Sequence, residues 1–149
     1  MQTLLKLSDA LALALHTAGV LAAHEDKIIQ TQDIAKFLEV SEHHLQKVHQ
    51  RLSKSGLLRA FRGPKGGFKL NRPANEILLR EVYEAIEGPL CPNQCVLGRE
   101  KCLTQDCKLG KMMDSLNALV VDFLNNTTVS QLAHSGFKAM PIGETEKTS

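Results

Sequence analysis

Residues 41–72 read SEHHLQKVHQRLSKSGLLRAFRGPKGGFKLNR, and the fold follows from how this stretch divides. Ser41 has the short hydroxyl that caps helix starts, and Leu45, Val48 and Leu52 follow at three-to-four spacing. Gln46, Lys47, Gln50 and Arg51 occupy the other faces, and Gly56 is placed to end the helix. Residues 57–61 and 68–70 are short apolar runs separated by Arg62-Gly63-Pro64-Lys65-Gly66-Gly67, which reads as a two-stranded hairpin. Asn71-Arg72-Pro73 stops its second strand.

Working outward, Ile28 and Ile29 form an apolar pair, and Thr31 reads as the cap of a helix carrying Ile34, Ala35, Phe37 and Leu38. Two short helices joined by the tight turn 39–41, the first with a small Ala35, satisfy the helix-turn-helix pattern, and the hairpin is then its wing. Ser8 and Asp9 open an earlier helix running to about residue 24, apolar nearly all round and hence mostly buried. A further helix is expected over 77–87, ended by Gly88-Pro89. Between 108 and 124 the residues Leu109, Met112, Met113, Leu116, Leu119, Val120 and Phe123 make one strongly apolar stripe. A small domain has little left to bury it against, so the stripe predicts coupling to a second copy across a dimer axis. Thr127 or Thr128 caps a last short helix through Leu132, and residues from 141 on read as a mobile tail.

The expected fold is therefore mainly α with a small β-hairpin wing: a winged helix-turn-helix domain plus a long C-terminal dimerisation helix. The expected division is 1–89 for the DNA-binding domain, 90–107 for a cysteine-rich sensor loop, 108–137 for the dimerisation and short terminal helices, and 138–149 for the tail.

Charge points to the partner. The chain's net +2 hides a window, 41–72, that holds eight Lys and Arg against the single acid Glu42, leaving the remainder at −5. Such segregation suits a polyanion-binding face, because each phosphate contact displaces condensed counterions. Glu42, His43, His44, Gln46 and Lys47 stand at the exposed start of the second helix, where a glutamine can pair with adenine and a lysine with guanine edges. Arg51 and Lys54, nearer the helix end, are placed for phosphates, while His43, His44 and His49 fit surface polar positions equally well. In the wing, Arg62 and Lys65 flank glycines that permit close approach to a narrow minor groove. Double-stranded DNA is the expected partner.

Other classes fare worse. Residues 1–23 resemble the apolar core of a secretory signal, but Asp9 and His16 break it and Leu21-Ala22-Ala23 is a loose cleavage site. The same stretch is too short and interrupted for a membrane span, and the expected location is cytoplasmic. An enzyme would need convergent catalytic groups, yet there is no C-x-x-C pair at a helix start, no nucleotide loop and no Ser/His/Asp order. A zinc-stabilised adaptor that binds protein through the apolar helix leaves the clustered positive charge unexplained.

Cys91, Cys95, Cys102 and Cys107 stand as C-x3-C-x6-C-x4-C in a loop with few other apolar residues, so core packing does not account for them. Soft thiolates at this density suit an iron-sulfur cluster or zinc, and spacing alone favours zinc, since four cysteines close a tetrahedron.

Several of these pieces together resemble the Rrf-two family of bacterial transcription regulators, which has IscR-like and NsrR-like members. They are Ile34-Ala35 with Val40-Ser41, the run from Arg51-Leu52 to Gly56-Leu57, the Arg62 to Phe68 wing, Ala85-Ile86-Glu87-Gly88-Pro89, the cysteines, and Phe123-Leu124-Asn125-Asn126. The resemblance implies a winged-helix dimer with the first helix swapped against the long one, acting as a repressor or activator at a palindromic site. It implies Ser41, His43, Gln46, Lys47, Arg59 and the wing of Arg62, Gly63 and Lys65 as DNA contacts, to which the helix pattern itself adds His44, Gln50 and Arg51. It also reverses the order at the cysteines, making a redox- or nitric-oxide-sensitive iron-sulfur cluster of unknown type the first expectation, with zinc or no cofactor as alternatives. The chain departs from the family pattern in one place: the histidine ligand that IscR-like members carry three residues after the last cysteine is Gly110. Cys91 or Asp9 is then the replacement, Asp9 aligning with an acid that nitric-oxide-sensing members lend from the partner subunit. Asp9 is equally an ordinary first-turn helix acid.

Overall fold

The computed structural model describes residues 7–92, 95–100, 104–133 and 137–142. Six α-helices and one hairpin lie along it in the order α1 (Asp9–Ala23), α2 (Thr31–Leu38), α3 (Glu42–Lys54), β1 (Leu58–Phe61), β2 (Gly67–Leu70), α4 (Leu79–Glu87), α5 (Lys108–Asn126) and α6 (Val129–Leu132).

Local chemistry accounts for the boundaries. Ser8 caps α1 by accepting from the Leu11 N–H at 3.1 Å, and Ser41 caps α3 by accepting from the His44 N–H at 3.4 Å. Thr31 does not cap α2. Gln30 takes that position, and the Thr31 hydroxyl instead bonds His49 at 3.0 Å, a long-range partner that local pattern cannot see. The turn between α2 and α3 places Glu39 in the left-handed region, φ 55°. Residues 77 and 78 precede α4 as extended chain, with Leu78 bridged to Thr128, so that helix starts two residues later than its pattern suggests. Thr128 is the N-cap of α6, and the Gln131 side chain accepts from its N–H at 2.7 Å.

β1 and β2 pair antiparallel in the register Leu58 with Leu70 and Phe61 with Gly67. Ile29 adds a third rung by exchanging both backbone bonds with Phe68, at 2.8 and 3.1 Å, which fixes the root of the wing to the segment before α2. A side chain on Gly67 would stand 2.3 Å from the Ile29 carbonyl oxygen, so only glycine allows this approach.

One core joins these elements. Leu11, Ala14, Ala18 and Leu21 of α1 meet Ile34 of α2, Leu45, Val48 and Leu52 of α3, and Val82 and Ile86 of α4. His49 belongs to this core rather than to the surface: it is fully buried among the apolar residues of α3. The segment expected to begin the tail is also partly docked, since Met140 is buried and Phe137 sits against α1 where Gly19 leaves a notch. Residues 143–149 lie outside those described. On α5 only Leu124 is buried; Leu109, Met112, Leu119, Val120 and Phe123 stay exposed. No helix among the described residues is long and apolar enough to cross a membrane.

Candidate nucleic-acid interface

α3 is amphipathic in the sense a recognition helix requires. Leu45, Val48, His49 and Leu52 face inward, while Ser41, Glu42, His43, His44, Gln46, Lys47 and Gln50 are exposed at and beyond its N-terminus. The Gln46 amide donates to Glu42 Oε1 at 3.2 Å, which holds it along the helix in the DNA-free chain. His44 and Ser41 also border an open groove of about 520 Å³ with Asp9 and His16 of α1.

His49 holds this helix in place. Its two ring nitrogens meet Thr17 Oγ1 of α1 at 3.1 Å and Thr31 Oγ1 of α2 at 3.0 Å, and the ring packs edge-on against Phe68 of β2, centroids 4.9 Å apart. Burial pushes its pKa down to about 4, so the imidazole is neutral and its one donor and one acceptor both find a hydroxyl. The signal for this was available in the sequence, because position 49 follows Leu45 by four and precedes Leu52 by three.

The wing presents its cations outward. Arg62, Gly63, Pro64 and Lys65 are exposed at the turn, and the Gln30 amide ties that turn to the start of α2 by donating to the Pro64 carbonyl at 3.2 Å. The exposed Arg59 guanidinium lies over the Phe61 ring, 5.2 Å from its centroid. Lys47, Lys54, Arg59, Arg62 and Lys65 are in no ion pair among the described residues. Two cations counted from the sequence are committed within the chain. Arg72 pairs with Glu81, and Arg51 donates to the Ile86 carbonyl at the end of α4. Of these two, only the Arg72–Glu81 ion pair offsets a charge of the positive window; Arg51 keeps its charge on a neutral carbonyl.

The three described cysteines differ in their surroundings. Cys91 is exposed beside a small groove formed with Tyr83, Leu90, Met113, Leu116 and Val120; Cys95 is half-buried; Cys107 is half-buried at the N-cap of α5. Cys102 lies outside the described residues. Asp9 is exposed in the first turn of α1. Among the described residues no three His, Cys, Asp or Glu side chains stand close enough to hold a metal ion. The donor types fit a cluster or zinc, but among the described residues the single chain does not bring three of them together.

Comparison with known proteins agrees with this architecture. A helix-turn-helix regulator, IscR of Pectobacterium atrosepticum, is 35% identical over 104 residues, which cover 69% of this chain and 63% of that protein. The crystal structure of Staphylococcus aureus CymR superposes with a TM-score of 0.70 at 28% identity, covering 85% of this chain and 96% of the other. CymR of B. subtilis, titled the global cysteine regulator of that organism, superposes at 0.75 with 24% identity, over 89% of this chain and 98% of that one, and so shares the fold. The family described as Rrf2, iron-dependent transcriptional regulator, matches residues 7–135, nearly the whole described chain. A capped, amphipathic helix beside a glycine-built basic wing is what such regulators use to bind DNA, and this chain, a regulator and not an enzyme, belongs to the Rrf2 family.

Proposed function

We propose that this chain is a sequence-specific DNA-binding repressor that works in the cytoplasm as a homodimer and senses iron-sulfur, redox or nitric-oxide status through its cysteine loop. The observation that carries the DNA part is the exposed polar start of α3 standing with the free cations of the wing on a frame rigidly joined through His49 and the Ile29–Phe68 bridge. α3 enters the major groove, where His43, Gln46 and Lys47 reach base edges after Gln46 exchanges Glu42 for a base. Arg62 and Lys65 reach the minor groove, and Arg59 and Gln50 meet the backbone between.

The dimer rests on α5. Five large apolar side chains lie exposed along it, Leu119 at 67% and Phe123 at 54%, on a helix whose only described buried residue is Leu124. A second copy covers such a stripe and sets the two recognition helices on one face of the duplex. The sensing part rests on donor chemistry. Cys91, Cys95, Cys102 and Cys107 supply soft thiolates to a cluster, and Asp9, exposed in the first turn of α1, is available as a ligand across the dimer. A bound cluster would supply a redox-labile link; what the residues themselves do is fix the loop between α4 and α5.

Selection of genomic fragments on the purified chain tests the first part: enrichment of a palindrome with half-sites about 34 Å apart supports it, and absence of any motif contradicts it. Anaerobic purification with iron, sulfide and zinc analysis tests the second. A coloured protein with iron and sulfide supports the cluster; a colourless one with stoichiometric zinc replaces it by a zinc site, and metal-free protein by thiol chemistry.

A further inference from the structure

Arg51 and the last turn of α4 are the feature the DNA-binding surface does not absorb. The guanidinium of Arg51, on α3, donates to the carbonyl of Ile86. That carbonyl lies among the last four of α4, which have no partner along the helix, and a cation there also complements the helix dipole. Three residues after the helix ends, the N–H of Leu90 donates back to Glu84 Oε1 at 3.2 Å, and Leu90 directly precedes Cys91. Glu84 is itself held by Arg80, Nε to Oε1 at 3.0 Å, and Arg80 reaches Asn125 Oδ1 of α5 at 3.3 Å. Arg80 first, then the Leu90 N–H, keep the Glu84 carboxyl below the ordinary carboxylate range, so it stays an acceptor at neutral pH. The entry to the cysteine loop, the end of the dimerisation helix and the recognition helix are therefore joined through α4.

We propose that Arg51 is a positioning residue rather than a phosphate contact, and that the last turn of α4 transmits displacement of the cysteine loop to the recognition helix. The proposal rests on the reading of that loop as the sensor. A shift of Cys91 pulls on Leu90, the Leu90–Glu84 bond passes it to the final turn of α4, and the Ile86 carbonyl carries Arg51 and the frame of α3 with it. The lever acts within one protomer and needs no change at the dimer axis.

Two measurements on the full chain test this, both by fluorescence anisotropy on the selected operator. Arg51→Met keeps the apolar stem and removes the donor. Positioning predicts at least a fivefold loss of operator affinity, in the range of ordinary coupling, with the salt slope and the affinity for an unrelated duplex unchanged. A phosphate contact instead lowers the slope by about one and weakens both duplexes alike, which overturns the assignment. The second measurement uses a chain with Cys95, Cys102 and Cys107 changed to Ser, so that N-ethylmaleimide labels Cys91 in the absence of any cluster. Labelling is expected to change operator affinity by about fivefold or more, and by less than twofold once Arg51→Met is added. No effect of the label, or an equal effect with and without Arg51, overturns the lever. Because the label requires no metal, these outcomes are independent of the iron and sulfide content that decides the cluster reading.

Discussion

Lowering the pH from 7.5 to 5 should destabilise this chain through one residue. His49 is fully buried, bonded to the neutral hydroxyls of Thr17 and Thr31 and packed on Phe68, and no carboxylate is bonded to its ring among the described residues. Its pKa falls from 6.5 to about 4 in the folded chain. Between those values the unfolded chain binds a proton that the folded one refuses, so stability rises with pH across the window, is fully present above 6.5 and is lost toward 4. Taken to pH 5, the linkage amounts to ~2 kcal/mol. Urea unfolding followed by circular dichroism, at one protein concentration, measures it against His49→Phe, which fills the site and cannot titrate. The variant starts less stable at pH 7.5, because two hydroxyls lose their partner, but its loss between the two pH values should be smaller by that amount. Parallel losses in the two proteins would refute the assignment of a neutral, buried imidazole as the joint of the recognition helix.

Two further outcomes follow from the same framework. Gly67→Ala drives a Cβ toward the Ile29 carbonyl oxygen, 2.3 Å away, and should cost about 2 kcal/mol, lowering the melting temperature by about 4 °C or more while detaching the wing root. An unchanged melting curve would show that the wing is not held there. Replacing both Leu119 and Phe123 by Glu puts charge on the exposed stripe of α5 and should convert a dimer to monomers in light scattering, with the advantage of a full palindrome over a single half-site lost. A variant that remains dimeric would move the interface elsewhere.

The parts of the fold legible in sequence are those set by near neighbours. Ser8 and Ser41 cap the helices their positions announce, the hairpin turns at the glycine-rich stretch between its two apolar runs, and the α5 stripe is as uncovered as its spacing implies. What escaped are polar side chains whose partners lie far along the chain. Thr31 has the composition of a cap, yet its hydroxyl is taken by His49, eighteen residues on. The partners of Arg72 and Arg51 within the chain, Glu81 and the Ile86 carbonyl, are likewise out of reach of a local reading. Phe137 and Met140 read as the approach to a tail because nothing local reveals the Gly19 notch on α1. The amphipathic helix and the basic wing were therefore recognisable from periodicity and charge, whereas the contacts that position them were not. The cysteines are a similar case: their spacing suggests metal chemistry, but it does not tell which side chains come together.

In the proposed function the wing and the recognition helix grip one duplex, and the salt dependence of operator binding measures that grip. Replacing Arg62 and Lys65 by Ala in the dimer should weaken binding and reduce the slope of log K against log salt by about 1.8 for each wing engaged, the share of two phosphate-neutralising cations. Equal affinity and an unaltered slope would contradict the assignment of residues 62–65 to DNA, and with it the interface built on α3.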